Sequence, residues 1–202
     1  AVAVGVPAAA AAAASVPAVA VTSAGAVPPE AGEAMNKLLR ILQHRRFDER
    51  DTARALDAAA LQRIQARVAA SERHHSGEIR VCVEAGLPLS YLWRGATARE
   101  RAISMFGKLR VWDTEHNNGV LVYLLLAEHR IEIVADRGLN RHVDAAQWQA
   151  IVHAMQQAFR AGQYEDGLNA AIDAVDALLL RHFAQDTTHT NPNELPDAPH
   201  LA

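Results

Sequence analysis

The sequence has little cysteine, few aromatic residues and no large excess of charge of either sign. It contains one cysteine, Cys82, in 202 residues, which excludes an intramolecular disulfide framework and a cysteine-rich zinc module. Aromatic residues make up 5% of the chain, and the formal net charge is -3. This charge excludes the strongly basic footprint of a general nucleic-acid-binding protein, so we expect no nucleic-acid partner. The length favours one domain with tails over two domains.

Alanine and proline dominate the first 34 residues, which lack the pattern of a folded segment. Residues 8–14 are all alanine, and four prolines interrupt any helix around them. We expect 1–34 to be a disordered or non-native extension, translated upstream of a start at Met35, in a cytoplasmic protein. The alternative is a signal-peptide remnant over 1–26, which would make the protein secreted or periplasmic.

Residues 35–56 form a basic amphipathic lead-in to the domain. Its first part, 35–46, combines four aliphatic side chains with four cationic ones. We expect a first helix that packs on the domain, and peripheral membrane contact through 35–46 is the alternative. The apolar and cationic residues are Leu38, Leu39, Ile41, Leu42, Lys37, Arg40, Arg45 and Arg46.

Hydrophobic periodicity over 57–183 predicts helices that alternate with strands. Asp57 starts a helix to about Glu72, the capping box from Thr97 to Glu100 starts another, and Asp144 starts a third. A last helix follows Gly162. Strands are predicted at 78–84, 120–126 and 130–135, with a turn at 127–129 between the last two.

The resulting order, α-β-α-β-β-α-α, predicts an α/β fold. The first two strands are joined through a helix and should be parallel, and the third should return as the antiparallel arm of a hairpin. Since the central strand is apolar throughout, helices must cover both of its faces. We therefore expect a three-layer α/β/α sandwich around a small mixed sheet over 57–183. The polar, proline-containing segment 184–202 is expected to be a disordered tail.

This topology predicts an acidic site at one edge of the sheet. The N-terminal ends of the parallel strands and the C-terminal end of the returning strand should meet there. Carboxylate and amide oxygens suit a hard divalent cation, calcium or magnesium, and Arg137 could hold a phosphate beside it. The predicted metal ligands are Glu78, Asp113, Asn118 and Asp136, and His74 and His75 precede the first strand close to the same edge.

Each of these residues also has an ordinary structural interpretation. Asp113 and the Asn-Gly pair at 118–119 suit turns, and Glu78 suits an exposed strand end. Asp136 suits an ion pair with Arg137 or Arg141, or hydrogen bonds from backbone donors. No phosphate-binding glycine loop, dinucleotide-binding motif or Gly-x-Ser-x-Gly nucleophile motif occurs in the sequence. Cys82 lies within a strand and is expected to be a small buried apolar residue. The catalytic residues, if any exist, stay undetermined.

Four stretches of the sequence resemble the TPM domain family. The family takes its name from a thylakoid lumenal protein, a photosystem II repair protein and a nematode receptor modulator. Together the stretches span most of 57–183, and the chain is most similar to the short soluble bacterial form. They are SERHHSGEIR at 71–80, NGVLVYL at 118–124, IEIVADRGL at 131–139, and Trp148 followed by Phe159, Gly162 and Gly167.

The resemblance implies an α/β/α sandwich and a divalent-cation site, often for calcium. It also implies an acid phosphatase activity, which is attributed to plant members. Asn117 departs from the pattern, because many members carry Asp before the Asn-Gly pair. Two functions follow as expectations. The first is a cation-binding interaction or accessory domain with a protein partner in membrane or envelope assembly, and the alternative is a cation-dependent phosphatase-like hydrolase.

Overall fold

A computed structural model describes residues 33–185 and 193–202. The expectations for residues 1–32, including the secretory alternative, therefore lie outside the described residues. The helices are α1 Glu33–Arg46, α2 Glu49–Ala55, α3 Ala58–Ser71, α4 Leu89–Trp93, α5 Ala98–Lys108, α6 Arg137–Asn140, α7 Ala145–Arg160 and α8 Tyr164–Phe183. The strands are β1 Ile79–Glu84, β2 Val120–Leu125, β3 Arg130–Ala135 and β4 His200–Leu201, with a 3-10 turn at Leu126–Glu128.

Side-chain caps start three of the helices at the residues the sequence predicts. The Asp57 carboxylate accepts the Ala60 N–H at 2.6 Å and begins α3. Thr97 and Glu100 form the capping box of α5, and Asp144 begins α7 with a second capping box. These bonds satisfy backbone donors that have no partner inside the helix, so the predicted helix starts are confirmed.

The sheet has the order β3-β2-β1-β4. β1 and β2 are parallel, with Ile79 opposite Val120. β2 and β3 are antiparallel, with Val120 opposite Ala135. The predicted parallel pair and hairpin are both confirmed, and the start of β1, the start of β2 and the end of β3 lie at one edge of the sheet.

Helices cover both faces of the sheet and give the predicted three layers. α3, α7 and α8 pack on the face that carries Val81, Val122 and Ile131. α5 packs on the opposite face, which carries Cys82 and Tyr123. Cys82 is fully buried, and burial raises the pKa of its thiol to about 12. It is therefore the inert apolar residue that the sequence predicts.

The end of the chain is ordered, although the sequence predicts a disordered tail. Leu195 is buried against the α5 side of the sheet, and β4 pairs in parallel with β1. The Arg80 guanidinium donates to the carbonyl oxygens of Pro196 and Ala198. The tail supplies hydrogen-bond partners to the free edge of β1, largely through its own backbone groups. Because side chains play little part in this pairing, the tail sequence has no hydrophobic periodicity. For residues 193–202 the prediction of disorder is wrong, and residues 186–192 are outside the described part.

The structure has three short helices, α2, α4 and α6, that the sequence does not predict. Each has seven residues or fewer, so hydrophobic periodicity is too brief to indicate it. The expected first helix is present as α1 and contacts α4 and the turn after β2. Among residues 33–185 and 193–202, no helix has the length and hydropathy that a membrane span requires.

Candidate functional site

Two backbone hydrogen bonds assemble the predicted acidic edge. The Val120 N–H donates to the Glu78 carbonyl at 2.8 Å, and the Asp136 N–H donates to the Gly119 carbonyl at 2.9 Å. They tie the residue before β1 and the residue after β3 to the start of β2. We call the residues at this edge, Glu78, Asn118 and Asp136, the edge cluster.

Asn118 is completely buried within the edge cluster. Its backbone N–H donates to Thr114 Oγ1 at 3.1 Å, and its Nδ2 donates to Ser76 Oγ at 3.1 Å. Its Oδ1 is buried and has no hydrogen-bond partner within residues 33–185 and 193–202. Because a buried oxygen without a partner costs free energy, this atom is a candidate ligand.

Asp136 presents a second oxygen of the same kind. Its Oδ1 accepts the Arg137 N–H at 2.6 Å and so caps α6. Its Oδ2 is buried and lacks a hydrogen-bond partner in the part of the chain that the structure describes. The side chain as a whole is buried, and this burial raises its pKa above the ordinary value for aspartate. A bound cation would relieve that cost.

Two glycines allow close packing around the loop before β2: Gly119 lies against Val111, and Gly138 at the start of α6 lies against Asn117. A Cβ on Gly119 would stand 2.0 Å from the Val111 carbonyl oxygen, and one on Gly138 would stand 2.4 Å from the Asn117 oxygen. Asn117 itself has a left-handed backbone, with φ of 52°. Its carbonyl accepts the Gly138 N–H at 2.8 Å. This packing leaves no room for a side chain at either glycine.

Arg137 is exposed and is held at this edge through Asn117. Its Nε donates to Asn117 Oδ1 at 3.0 Å. Of the alternatives predicted for Asp136, the structure shows the bond from a backbone donor, the Arg137 N–H. The guanidinium is thus fixed at one end and reaches solvent beside the edge cluster, where it can meet an anion.

Glu78 contacts the tail instead of joining a cluster of carboxylates. Its two carboxylate oxygens accept the N–H groups of Glu194 at 3.3 Å and Leu195 at 3.2 Å. The side chain is completely buried, and burial raises its pKa to about 7. The interpretation of Glu78 as an exposed strand end is wrong.

Glu72 is a buried carboxylate that the sequence does not single out. It accepts the Ile79 N–H at 2.8 Å, and burial raises its pKa to about 9, with the nearby Glu78 as a further cause. It stands at the end of the periodic pattern of α3, where an exposed helix terminus is the usual expectation. No local signal distinguishes it from an ordinary last-turn residue.

The remaining predicted residues lie apart from the buried oxygens. The side chain of Asp113 is exposed, as is that of His74. In the described ranges, no three His, Cys, Asp or Glu side chains form a group that could hold a metal ion. The edge cluster offers two buried oxygens of the kinds that hard cations prefer, and further ligands would have to come from amide or carbonyl oxygens or from water.

Ser71, His75 and Asp176 come together between α3 and α8. Ser71 Oγ lies 2.9 Å from His75 Nε2 and donates to Asp176 Oδ1 at 2.6 Å. The same His75 nitrogen lies 3.2 Å from Asp176 Oδ1. In a catalytic triad the carboxylate contacts the other ring nitrogen and the serine is bound to histidine alone. This trio is therefore a structural link, and it engages His75 in contacts with Ser71 and Asp176.

The three-layer sandwich and the edge cluster define a small α/β domain with a polar sheet edge. The sequence model of the TPM domain matches residues 50–178, which is more than half of the chain. The chain belongs to the TPM domain family.

Solved structures have the same fold. The NMR structure of BA42 protein from the psychrophilic bacterium Bizionia argentinensis is similar, with a TM-score of 0.64 and 26% identity over 73% of this chain and 95% of that one. The N-terminal domain of a P. gingivalis protein has a TM-score of 0.52 and 23% identity, over 65% of this chain and 82% of that one. The search of curated proteins found no match.

Proposed function

We propose that this TPM domain binds a divalent cation at its edge cluster and serves as an accessory interaction domain in membrane or envelope protein assembly. The observation that carries the cation proposal is the pair of buried oxygens, Asn118 Oδ1 and Asp136 Oδ2, without partners among the described residues. Calcium and magnesium prefer oxygen ligands of these two kinds.

The electrostatics of the edge support the same proposal. Burial raises the pKa of Asp136 and raises that of Glu78 to about 7. Each shift means that the negative charge is poorly compensated by its surroundings. Asp136 and Asn118 would hold the cation together with water or backbone oxygens, since the Glu78 oxygens accept tail N–H groups and Asp113 is exposed. The cation would compensate the buried charge.

The alternative is a cation-dependent phosphatase-like hydrolase, and the position of Arg137 favours it. Its exposed guanidinium stands beside the edge cluster and is oriented by Asn117. A planar guanidinium can bind a phosphate through two hydrogen bonds. A bound cation would supply charge that polarises the phosphoryl group. The interaction role is favoured because Ser71, the serine that contacts a histidine, is buried and bonded directly to Asp176.

A combined melting and activity experiment tests the proposal. We expect calcium or magnesium to raise the melting temperature of the wild-type chain, and Asp136→Asn to abolish that increase. Asn retains an oxygen for the α6 cap, so the variant should fold. Asp166→Asn, an exposed carboxylate on α8, is the matched control and should keep the increase.

The activity arm separates the two functions. Hydrolysis of p-nitrophenyl phosphate that requires the cation and disappears in Asp136→Asn would establish the hydrolase. Cation binding without hydrolysis would support the accessory domain. If neither cation changes the melting temperature of the wild-type chain, the cation proposal is contradicted in both forms.

A further inference from the structure

Helix α1 binds the domain through its polar side and through Ile41, which packs against the core on the α5 side of the sheet. Arg40 donates from Nε to Glu128 Oε1 at 2.7 Å and from Nη2 to the Ala96 carbonyl at 2.8 Å. His44 is buried, its Nε2 lies 2.9 Å from the same Glu128 oxygen, and its Nδ1 accepts the Leu87 N–H at 2.9 Å. These bonds fix the rotation of α1 about its own axis.

That rotation turns the leucines of α1 away from the domain. At 3.6 residues per turn, Leu38, Leu39 and Leu42 lie on the side of the helix opposite Arg40 and His44. They are 58%, 56% and 60% exposed. A surface helix ordinarily buries its apolar side and exposes its polar one. The reversed arrangement in α1 points to a binding surface.

Helix α4 extends the apolar surface. It packs against α1, and its Leu89 and Trp93 are 54% and 70% exposed. Lys37 of α1 places its Nζ 5.7 Å from the centre of the Trp93 ring, which links the two helices at the surface. We call Leu38, Leu39, Leu42, Leu89 and Trp93 the apolar ridge.

The stretch of α1 that carries the ridge leucines is cationic, although Asp51 of α2 lies at the edge of the ridge. Residues 36–47 contain one lysine and three arginines and no aspartate or glutamate, in a chain whose net charge is -3. Arg45 and Arg46 are exposed in the last turn of α1, directly after the leucines. A surface with apolar side chains, a tryptophan and flanking cations is complementary to an anionic lipid bilayer.

A groove of about 500 Å³ runs along the ridge between α1 and the start of α2. Leu39, Leu42 and Phe47 supply its apolar lining, and its polar lining consists of Gln43, Arg46 and Asp51. An apolar chain beside an anionic headgroup fits this combination of lining groups.

We propose that the apolar ridge and the arginines of α1 dock this domain on the surface of an anionic membrane. The leucines and Trp93 enter the interface, and Arg45 and Arg46 contact the lipid headgroups. The docking surface is formed by α1 and α4, whereas the edge cluster is formed at the ends of β1, β2 and β3. The inference therefore stands independently of cation binding.

Co-sedimentation of the full chain with lipid vesicles tests this proposal, in a buffer that contains a chelator so that the edge cluster plays no part. We expect binding to vesicles of phosphatidylcholine with phosphatidylglycerol, and much weaker binding to phosphatidylcholine alone. The double variant Leu39→Gln/Leu42→Gln should weaken binding at least about tenfold. Arg45→Gln/Arg46→Gln should weaken it about fivefold for each arginine and reduce its sensitivity to salt.

Leu180→Gln is the matched control, because Leu180 is an exposed leucine on α8, 37% accessible. It should bind vesicles as the wild type does, and circular dichroism should show native helix content in every variant. Equal binding by the leucine variants, equal binding to both vesicle types, or no binding by the wild type would overturn the proposal. A wild-type dimer that the leucine variants convert to a monomer would also overturn it, since a second copy would then cover the ridge.

Discussion

Asp136 donates its backbone N–H to the carbonyl oxygen of Gly119 at 2.9 Å, across the open end of the β2–β3 hairpin. This bond sets the residue after β3 beside the residues before β2. The side chains of Asp136 and Asn118 are consequently buried at one end of the hairpin, each with an oxygen that has no partner in the described chain. A stable hairpin would not require two buried polar groups there, so their presence favours a binding role.

Replacing Asn117 by Asp should strengthen cation binding at this edge. Asn117 lies next to Asn118 in a left-handed conformation that Asp also tolerates, and its side chain already contacts Arg137. The variant adds a carboxylate beside the edge cluster. We expect the calcium-induced rise in melting temperature to increase by a few degrees. An unchanged or smaller rise would place the cation elsewhere.

Stability should fall as pH rises from about 5 to 9, and Glu72 should be a main cause. Its pKa is raised to about 9 in the folded state. Below the unfolded pKa it is protonated in both states. Between the two pKa values the unfolded chain loses the proton while the folded chain keeps it, so each increase in pH favours unfolding. Glu78, raised to about 7, adds to the fall at lower pH.

The variant Glu72→Gln isolates this effect because glutamine can still accept the Ile79 N–H without a charge. Over the same pH range, the wild type should lose at least about 1.4 kcal/mol more of its free energy of unfolding than the variant does. This figure is the free energy that corresponds to one pKa unit. Urea denaturation at several pH values measures the difference. Parallel curves for the two proteins would contradict the assignment.

The tail should contribute to the stability of the domain through Leu195. This side chain is buried against the α5 side of the sheet, so Leu195→Ala should cost about 2–3 kcal/mol. Leu201 is in the same tail but 47% exposed, and Leu201→Ala should change stability by less than about 0.5 kcal/mol. Chemical denaturation compares the two variants. Similar costs would mean that the tail is not seated as described.

Asp176→Asn tests the structural interpretation of the Ser71, His75 and Asp176 trio. Asp176 accepts the Ser71 hydroxyl at 2.6 Å and joins α3 to α8. The variant should lose about 1–2 kcal/mol of stability, because a partly buried hydrogen bond to a charged group is weakened. The response to calcium and any phosphatase activity should be unchanged. A selective loss of activity with normal stability would instead indicate a catalytic role for the trio.

Much of the fold could be predicted from the sequence because its signals are local. Asp57, Thr97 and Asp144 each cap a helix through bonds within three residues. The apolar run of β2 requires helices on both faces. The C-terminal strand could not be predicted, since β4 pairs with β1 through backbone groups more than a hundred residues away. Such contacts leave no local pattern in the sequence.

The candidate site could be predicted in part for the same reason. Strand direction alone places Glu78, Asn118 and Asp136 at one edge, and the structure has them there. The orientation of the Glu78 side chain depends on the backbone N–H groups of Glu194 and Leu195 in the tail. The sequence predicts that this tail is disordered, so the contact could not be foreseen. Burial of Glu72 likewise depends on tertiary packing.

Calorimetric titration of calcium into the wild-type chain and Asp136→Asn is the most direct test of the cation site. The account predicts saturable binding by the wild type at one site, and loss of that binding in Asp136→Asn while circular dichroism shows an intact fold. Asp166→Asn should bind as the wild type does. Equal calcium binding by wild type and Asp136→Asn, or none by the wild type, would contradict the account.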